Sequence, residues 1–193
     1  MDWRSRGYLP HYDGPGAVQH IVFGLADATP VEAMRRTTDA TSSERAAAAD
    51  AMLDAGYGRR TLADPRAAAI VQETLLVFDP ERYHLLAWCV MPTHVHALVE
   101  VQAGWPLPKI LHAWKSFTAN GVNRRLGQSG ALWAREYFDR AVRNEAHLEA
   151  VKNYIENNPV AAGLVNAPDA WRWSSASAAE ALLPPGASSR RCA

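Results

Sequence analysis

Residues 91–100 read Met-Pro-Thr-His-Val-His-Ala-Leu-Val-Glu, and the fold is decided by how this stretch sits in the chain. Its apolar, β-branched character predicts a strand over His94–Val101. Another apolar run, Tyr83–Val90 (YHLLAWCV), ends only three residues earlier. Two strands joined by so short a link are antiparallel neighbours. Side chains alternate along a strand, so His94 and His96 share one face while Val95 points to the other. Two imidazoles about 7 Å apart at the backbone, from a ~3.3 Å rise per residue, can converge on one divalent ion.

Upstream, Ala17–Leu25 (AVQHIVFGL) predicts a first strand. Thr29-Pro30 opens an alanine-rich helical stretch that Gly56-Tyr57-Gly58 stops, and Asp64-Pro65 starts a helix running to about Phe78. Downstream, a long helix opens at Pro106 or Pro108 and ends at Gly127–Gly130. Its apolar stripe of Ile110, Leu111, Trp114, Phe117 and Val122 is expected in the core. Residues 132–143 (LWAREYFDRAVR) form a basic, aromatic connector. Asn144 caps a final helix that Pro159 breaks. The order β–α–α–β–β–α–α predicts an α+β domain around a small antiparallel sheet with helices packed on it. The expected organisation is an N-terminal basic arm at 1–16, one domain over 17–178 with a helical insertion at about 30–80, and a disordered tail at 179–193.

Composition narrows the class. The 193 residues are 48% hydrophobic and 21% charged, which excludes wholesale disorder. No apolar run is long enough to span a membrane, the N-terminus lacks a signal-peptide core, and Cys89 and Cys192 make no disulfide framework, so a cytoplasmic protein is expected. Net charge is zero, but seven basic residues face only Glu136 and Asp139 between Lys109 and Arg143. Such asymmetry permits a local positive face for nucleic acid.

The last helix completes a chemistry. Tyr154 and Asn158 are four apart and share a helical face, whereas Lys152 lies nearly opposite. Asn158 offers a carbonyl oxygen that a hard cation accepts; Asn157 is the alternative donor. Two histidines, an amide and a tyrosine suit phosphodiester cleavage, in which the tyrosine attacks phosphorus and conserves the bond energy for rejoining. Tyr137 is a rival nucleophile in a basic context, but it lacks an asparagine four residues on.

Three segments in this order resemble the REP-associated tyrosine transposases, single-tyrosine members of the HUH (His–hydrophobic–His) nucleases. They are RSRGYLPHYDGPGAVQHIVFGLADATP, WCVMPTHVHALVEV and LWAREYFDRAVRNEAHLEAVKNYIENNPVAAGLV, together reaching from Arg4 to Val165. The last, with its Tyr-Ile-x-x-Asn-Pro-Val core, is the most specific. The resemblance implies an HUH-nuclease, ferredoxin-like arrangement and a metal-dependent single-stranded DNA endonuclease and strand transferase. His94 and His96 then match the metal ligands, Tyr154 the nucleophile forming a 5′-phosphotyrosine, and Asn158 a third ligand. The implied cofactor is Mg²⁺ or Mn²⁺. The implied partner is single-stranded or hairpin DNA of the repetitive extragenic palindrome type, met in the cytoplasm at the nucleoid by a monomer or homodimer.

Arg4, Arg6, Lys115, Arg135, Arg140 and Arg143 are the candidates for phosphate contacts, with Trp133 and Tyr137 for base stacking. Two other classes stand beside the active transposase: a catalytically idle regulator that only binds repeats, and a metal-dependent nuclease that uses water. An intact His94, His96 and Tyr154 disfavours the regulator, and the water-using nuclease predicts cleavage that survives Tyr154→Phe and leaves no protein–DNA adduct; the active transposase is the reading adopted.

Overall fold

The structure, a computed structural model, describes residues 2–5, 10–13, 16–28, 53 and 57–181. The expected alanine-rich helices before Gly56 (Leu53 apart), the tail beyond 181, Arg6 and Cys192 lie outside the described residues. The strands are β1 (Asp2–Ser5), β2 (Pro10–Asp13), β3 (Val18–Gly24), β4 (Tyr83–Val90), β5 (His94–Val101) and β6 (Phe138–Ala141). The helices are α1 (Pro65–Leu76), α2 (Leu107–Leu126), α3 (Glu145–Ala161) and α4 (Ser175–Ala181).

The chain is an α+β fold around a four-stranded sheet of order β4-β5-β3-β6, in which every neighbour is antiparallel. The two inner strands, β3 and β5, are buried along almost their whole length, as strands covered on both faces must be. On one face Val95, Ala97 and Val99 pack with Ala67, Val71, Ile110, Leu111 and Trp114 of α1 and α2. On the other, Ala87, Cys89, Met91 and Leu98 meet Val151 and Ile155 of α3. Ile155 is fully buried; removing a side chain of this kind from water is worth about 1.5–3 kcal/mol, and this fixes which way α3 faces.

Local chemistry sets the helix ends. The Asp64 carboxylate accepts from Arg66 N at 2.8 Å with Pro65 at the first position, and the Asn144 side chain accepts from His147 N at 2.9 Å. Gly127, at φ 66°, closes α2 in the left-handed conformation that glycine tolerates. The segment after α3 runs back along β4: Trp171 Nε1 donates to Val90 O at 3.0 Å, and Ser175 Oγ donates to Glu156 Oε1 at 2.9 Å. These contacts clamp α3 against the sheet.

Several expectations need correction. The expected N-terminal arm holds two short strands, β1 and β2, which pair as a hairpin. The basic connector contributes a sheet strand, β6, which pairs with β3. Phe117 is 66% exposed. Thr118 takes the buried position one turn after Trp114, its hydroxyl donating to Trp114 O at 2.6 Å and accepting from Trp133 Nε1 at 2.8 Å. Pro159 does not end α3, which continues to Ala161. Lacking an N–H, Pro159 forfeits one helical bond, and its carbonyl still accepts from Leu164 N at 2.9 Å.

Candidate metal and nucleophile site

Strand alternation puts His94 and His96 on the α3 face of β5, and α3 crosses them with Asn158. All three side chains are buried. Tyr154, one turn earlier, is 42% exposed, so its ring stands at the mouth of the cluster. The Tyr154 ring meets His96 edge-on with centroids 5.8 Å apart, and His20 likewise at 6.1 Å. Asn157, by contrast, is exposed and donates from Nδ2 to Asn153 O at 2.8 Å, so Asn158 is the amide that the fold brings to the histidines.

The hydrogen bonds fix how His94 faces. Thr93 Oγ1 donates to Leu53 O at 3.0 Å, so its lone pair receives the His94 Nδ1 proton across 2.9 Å. In that neutral tautomer His94 presents an Nε2 lone pair to His96 Nε2, 2.9 Å away. The Asn158 amide nitrogen lies 3.3 Å from the same His96 atom. Asn158 Oδ1 is buried with no hydrogen-bond partner, and a half-turn of the amide exchanges the two atoms. Cis ligands on an octahedral cation at ~2.1 Å are about 3.0 Å apart, so two imidazole nitrogens and an orphaned amide oxygen fit the donor set of a hard divalent ion. Among the described residues no three His, Cys, Asp or Glu side chains form such a group, so an amide would have to complete the donor set. Burial, reinforced by neighbouring His94 and His20, holds the His96 pKa well below its ordinary value.

His20, on β3, is the residue that the sequence reading missed. Its Nε2 lies 3.1 Å from His96 Nδ1, and burial together with Arg140 and His147 lowers its pKa to about 4.

The expected DNA-contact residues divide. Arg140 is the Cα partner of His20 across β6 and β3, so both side chains rise from the same face of the sheet. Arg135, Arg140 and Arg143 are exposed and Tyr137 is half-buried. Arg4 sits on β1 opposite His11. Two candidates are turned inward. Trp133 is buried, its ring edge-on to Phe23 at 4.8 Å and its indole N–H bound to Thr118, so it is a core residue and presents no face to a base. Lys115 Nζ donates to Ala134 O, Arg135 O and Glu136 O at 3.1, 3.3 and 3.1 Å. Its three protons are committed to the connector, and burial lowers its pKa to about 8 against the pull of Glu136.

The family model for IS200-like transposases matches residues 59–158, a span holding both β5 histidines, Tyr154 and Asn158. No curated protein matches the chain. Among solved structures, a REP-associated tyrosine transposase bound to a REP hairpin is similar at 17% identity and TM-score 0.55, over 90% of this chain and 86% of that one. A transposase candidate from Deinococcus radiodurans R1 is similar at 19% identity and TM-score 0.38, over 82% of this chain and 98% of that one.

Proposed function

The chain belongs to the IS200-like transposase family, and from that premise we propose that this DNA transposase is a metal-dependent single-strand endonuclease and strand transferase working through a covalent 5′-phosphotyrosine on Tyr154. The observation that carries the reading is the convergence of His94, His96 and Asn158 beneath a tyrosine one helical turn from that asparagine. His94 Nε2, His96 Nε2 and Asn158 Oδ1 would hold Mg²⁺ or Mn²⁺. The bound ion supplies positive charge that polarises the scissile phosphate.

This chain's own residues do the rest. Tyr154 Oη attacks phosphorus as the P–O3′ bond breaks; the phenolic proton is lost to solvent, the departing 3′-oxygen takes one up to become a free 3′-hydroxyl, and the 5′-phosphate stays on the tyrosine. Rejoining reverses the step with a new 3′-hydroxyl, so no external energy is required. Tyrosine ionises near pH 10 in water, so at neutral pH the attack would need a proton acceptor or the charge of a bound divalent ion to help release the phenolic proton. The clamp that Ser175 and Trp171 place on α3 and β4 keeps Tyr154 and Asn158 in register with the histidines.

The substrate reading is a palindromic repeat folded as a hairpin beside single-stranded DNA. It is supported by the solved relative bound to a REP hairpin and by the exposed arginines around the site. Arg140, Arg143 and Arg135 grip phosphates and Tyr137 stacks on a base, with Arg4 and Arg6 of the N-terminal arm adding phosphate contacts. Residues 17–178 act as one catalytic domain, as a monomer or homodimer, on DNA at the nucleoid. Among the described residues no helix is long and apolar enough to cross a membrane.

The test incubates labelled single-stranded oligonucleotides from both flanks of the gene with Mn²⁺ or Mg²⁺, comparing wild type with Tyr154→Phe. A denaturant-resistant protein–DNA adduct that needs both metal and Tyr154 is expected. Metal-dependent cutting that leaves no adduct and persists in Tyr154→Phe would overturn the tyrosine mechanism in favour of hydrolysis by water. Hairpin binding with no cutting under any metal would make the protein a repeat-binding regulator.

A further inference from the structure

The third histidine of the cluster has a use that the cation and the nucleophile leave open. His20 and His96 come from different strands, and their Cα partners are Leu98 and Val22 respectively, so the two histidines are diagonal neighbours on one face. His20 Nε2 lies 3.1 Å from His96 Nδ1, and the two ring planes are only 16° apart. That orientation lets a lone pair on one ring meet an N–H of the other.

His20 cannot itself share a cation with His96, because it faces Nδ1 while His94 and Asn158 face Nε2. The two nitrogens of an imidazole point to opposite sides of the ring. A neutral imidazole carries one proton, so His96 Nε2 is free to bind a cation only when Nδ1 holds it. A hydrogen on Nδ1 in a buried site needs an acceptor, and His20 Nε2 is the partner at that position.

We propose that His20 is a positioning residue: its Nε2 accepts from His96 Nδ1–H, fixing the tautomer and the aim of His96 toward the cation. It holds the ring in place as the outer partners of metal-bound histidines do elsewhere. His20 also touches Tyr154 edge-on at 6.1 Å, so one side chain steadies both the cation's ligand and the nucleophile's ring. Thr93 does the same for His94 from the other end of the cluster. The role rests on the cation-binding reading of His94, His96 and Asn158.

The experiment measures Mn²⁺ affinity by electron paramagnetic resonance for the full-length wild type, His20→Gln and His20→Leu, none of them given DNA. Gln keeps an acceptor oxygen; Leu has none. His20→Leu should bind Mn²⁺ about 10–100-fold more weakly, and His20→Gln should recover most of that loss. Equal affinity in wild type and His20→Leu would overturn the positioning role while leaving the metal centre standing. No Mn²⁺ binding by wild type would overturn the centre and the role together. ¹⁵N imidazole shifts of Mg²⁺-loaded wild type give an answer that does not require the Leu variant to fold. A proton on His96 Nδ1 is expected, and one on Nε2 would overturn the proposal.

Discussion

His94 Nε2 and His96 Nε2 face each other at 2.9 Å in a buried site, and the neutral His94 tautomer that donates from Nδ1 to Thr93 turns an Nε2 lone pair toward that contact. Two such atoms stay this close only with a proton or a cation between them. Adding Mn²⁺ should therefore stabilise the folded protein by ligand linkage, about 2.7 kcal/mol at a hundred times the dissociation constant. His96→Ala should abolish that gain. Thermal unfolding with and without Mn²⁺ checks it, and an equal rise in both proteins would show that the ion binds elsewhere.

Asn158 carries the opposite trade. Its oxygen is buried with no hydrogen-bond partner and the residue is only 3% exposed. A buried unpaired acceptor costs about 1–3 kcal/mol. Asn158→Leu should leave the metal-free protein at least as stable as wild type in urea titrations, while removing both Mn²⁺ stabilisation and adduct formation. A loss of more than about 2 kcal/mol without metal would mean that the amide is a structural element of α3.

The pairing of His94 with His96 and of Tyr154 with Asn158 is legible in the sequence, because periods of two and four residues fix which side chains share a strand face or a helix face; that the two pairs meet is what the family resemblance implied. His20 is not. Every residue of β3 from Gln19 to Gly24 is buried, so alternation singles out no face there, and its partner is 76 residues away. Only the register that sets Val22 against His96 reveals the pair. Trp133 and Lys115 mislead for a related reason. A basic residue on α2 and an aromatic one in the connector resemble a DNA surface until the packing of these two segments against each other turns them inward. Likewise, α2's period alone does not say whether Phe117 or Thr118 takes the buried slot; the Trp133 indole settles it by requiring the hydroxyl.

Acid should unfold the metal-free protein earlier than its carboxylates alone would dictate. Burial, then Arg140 and His147, hold His20 at about 4 against 6.5 for an unperturbed histidine. Between those values the unfolded chain binds a proton that the folded chain refuses, so stability falls as pH drops from 6.5 toward 4. His20 alone accounts for no more than about 3 kcal/mol across that window, and His96, shifted the same way, adds to it. Urea midpoints at pH 7, 6, 5 and 4 read the slope, which His20→Gln should make shallower. A midpoint that holds constant or rises on acidification would contradict the assignment of neutral buried imidazoles.

Lys115 and Arg140 should part company when DNA is added. Lys115 Nζ is held by three backbone carbonyls of the connector, and hydrogen bonds to a charged donor contribute about 1.5–3 kcal/mol apiece at most. Lys115→Met should lower folding stability by a few kcal/mol, since it frees the segment that leads into β6. It should leave the salt dependence of hairpin binding by the folded protein unchanged. Arg140 is exposed and rises beside His20 on the face of the sheet that carries the site. Arg140→Ala should barely alter stability, yet reduce the slope of log affinity against log salt by about one phosphate contact. Fluorescence anisotropy of a labelled hairpin across a salt series separates the two. A reduced slope in Lys115→Met with wild-type behaviour in Arg140→Ala would reverse which cation meets the DNA.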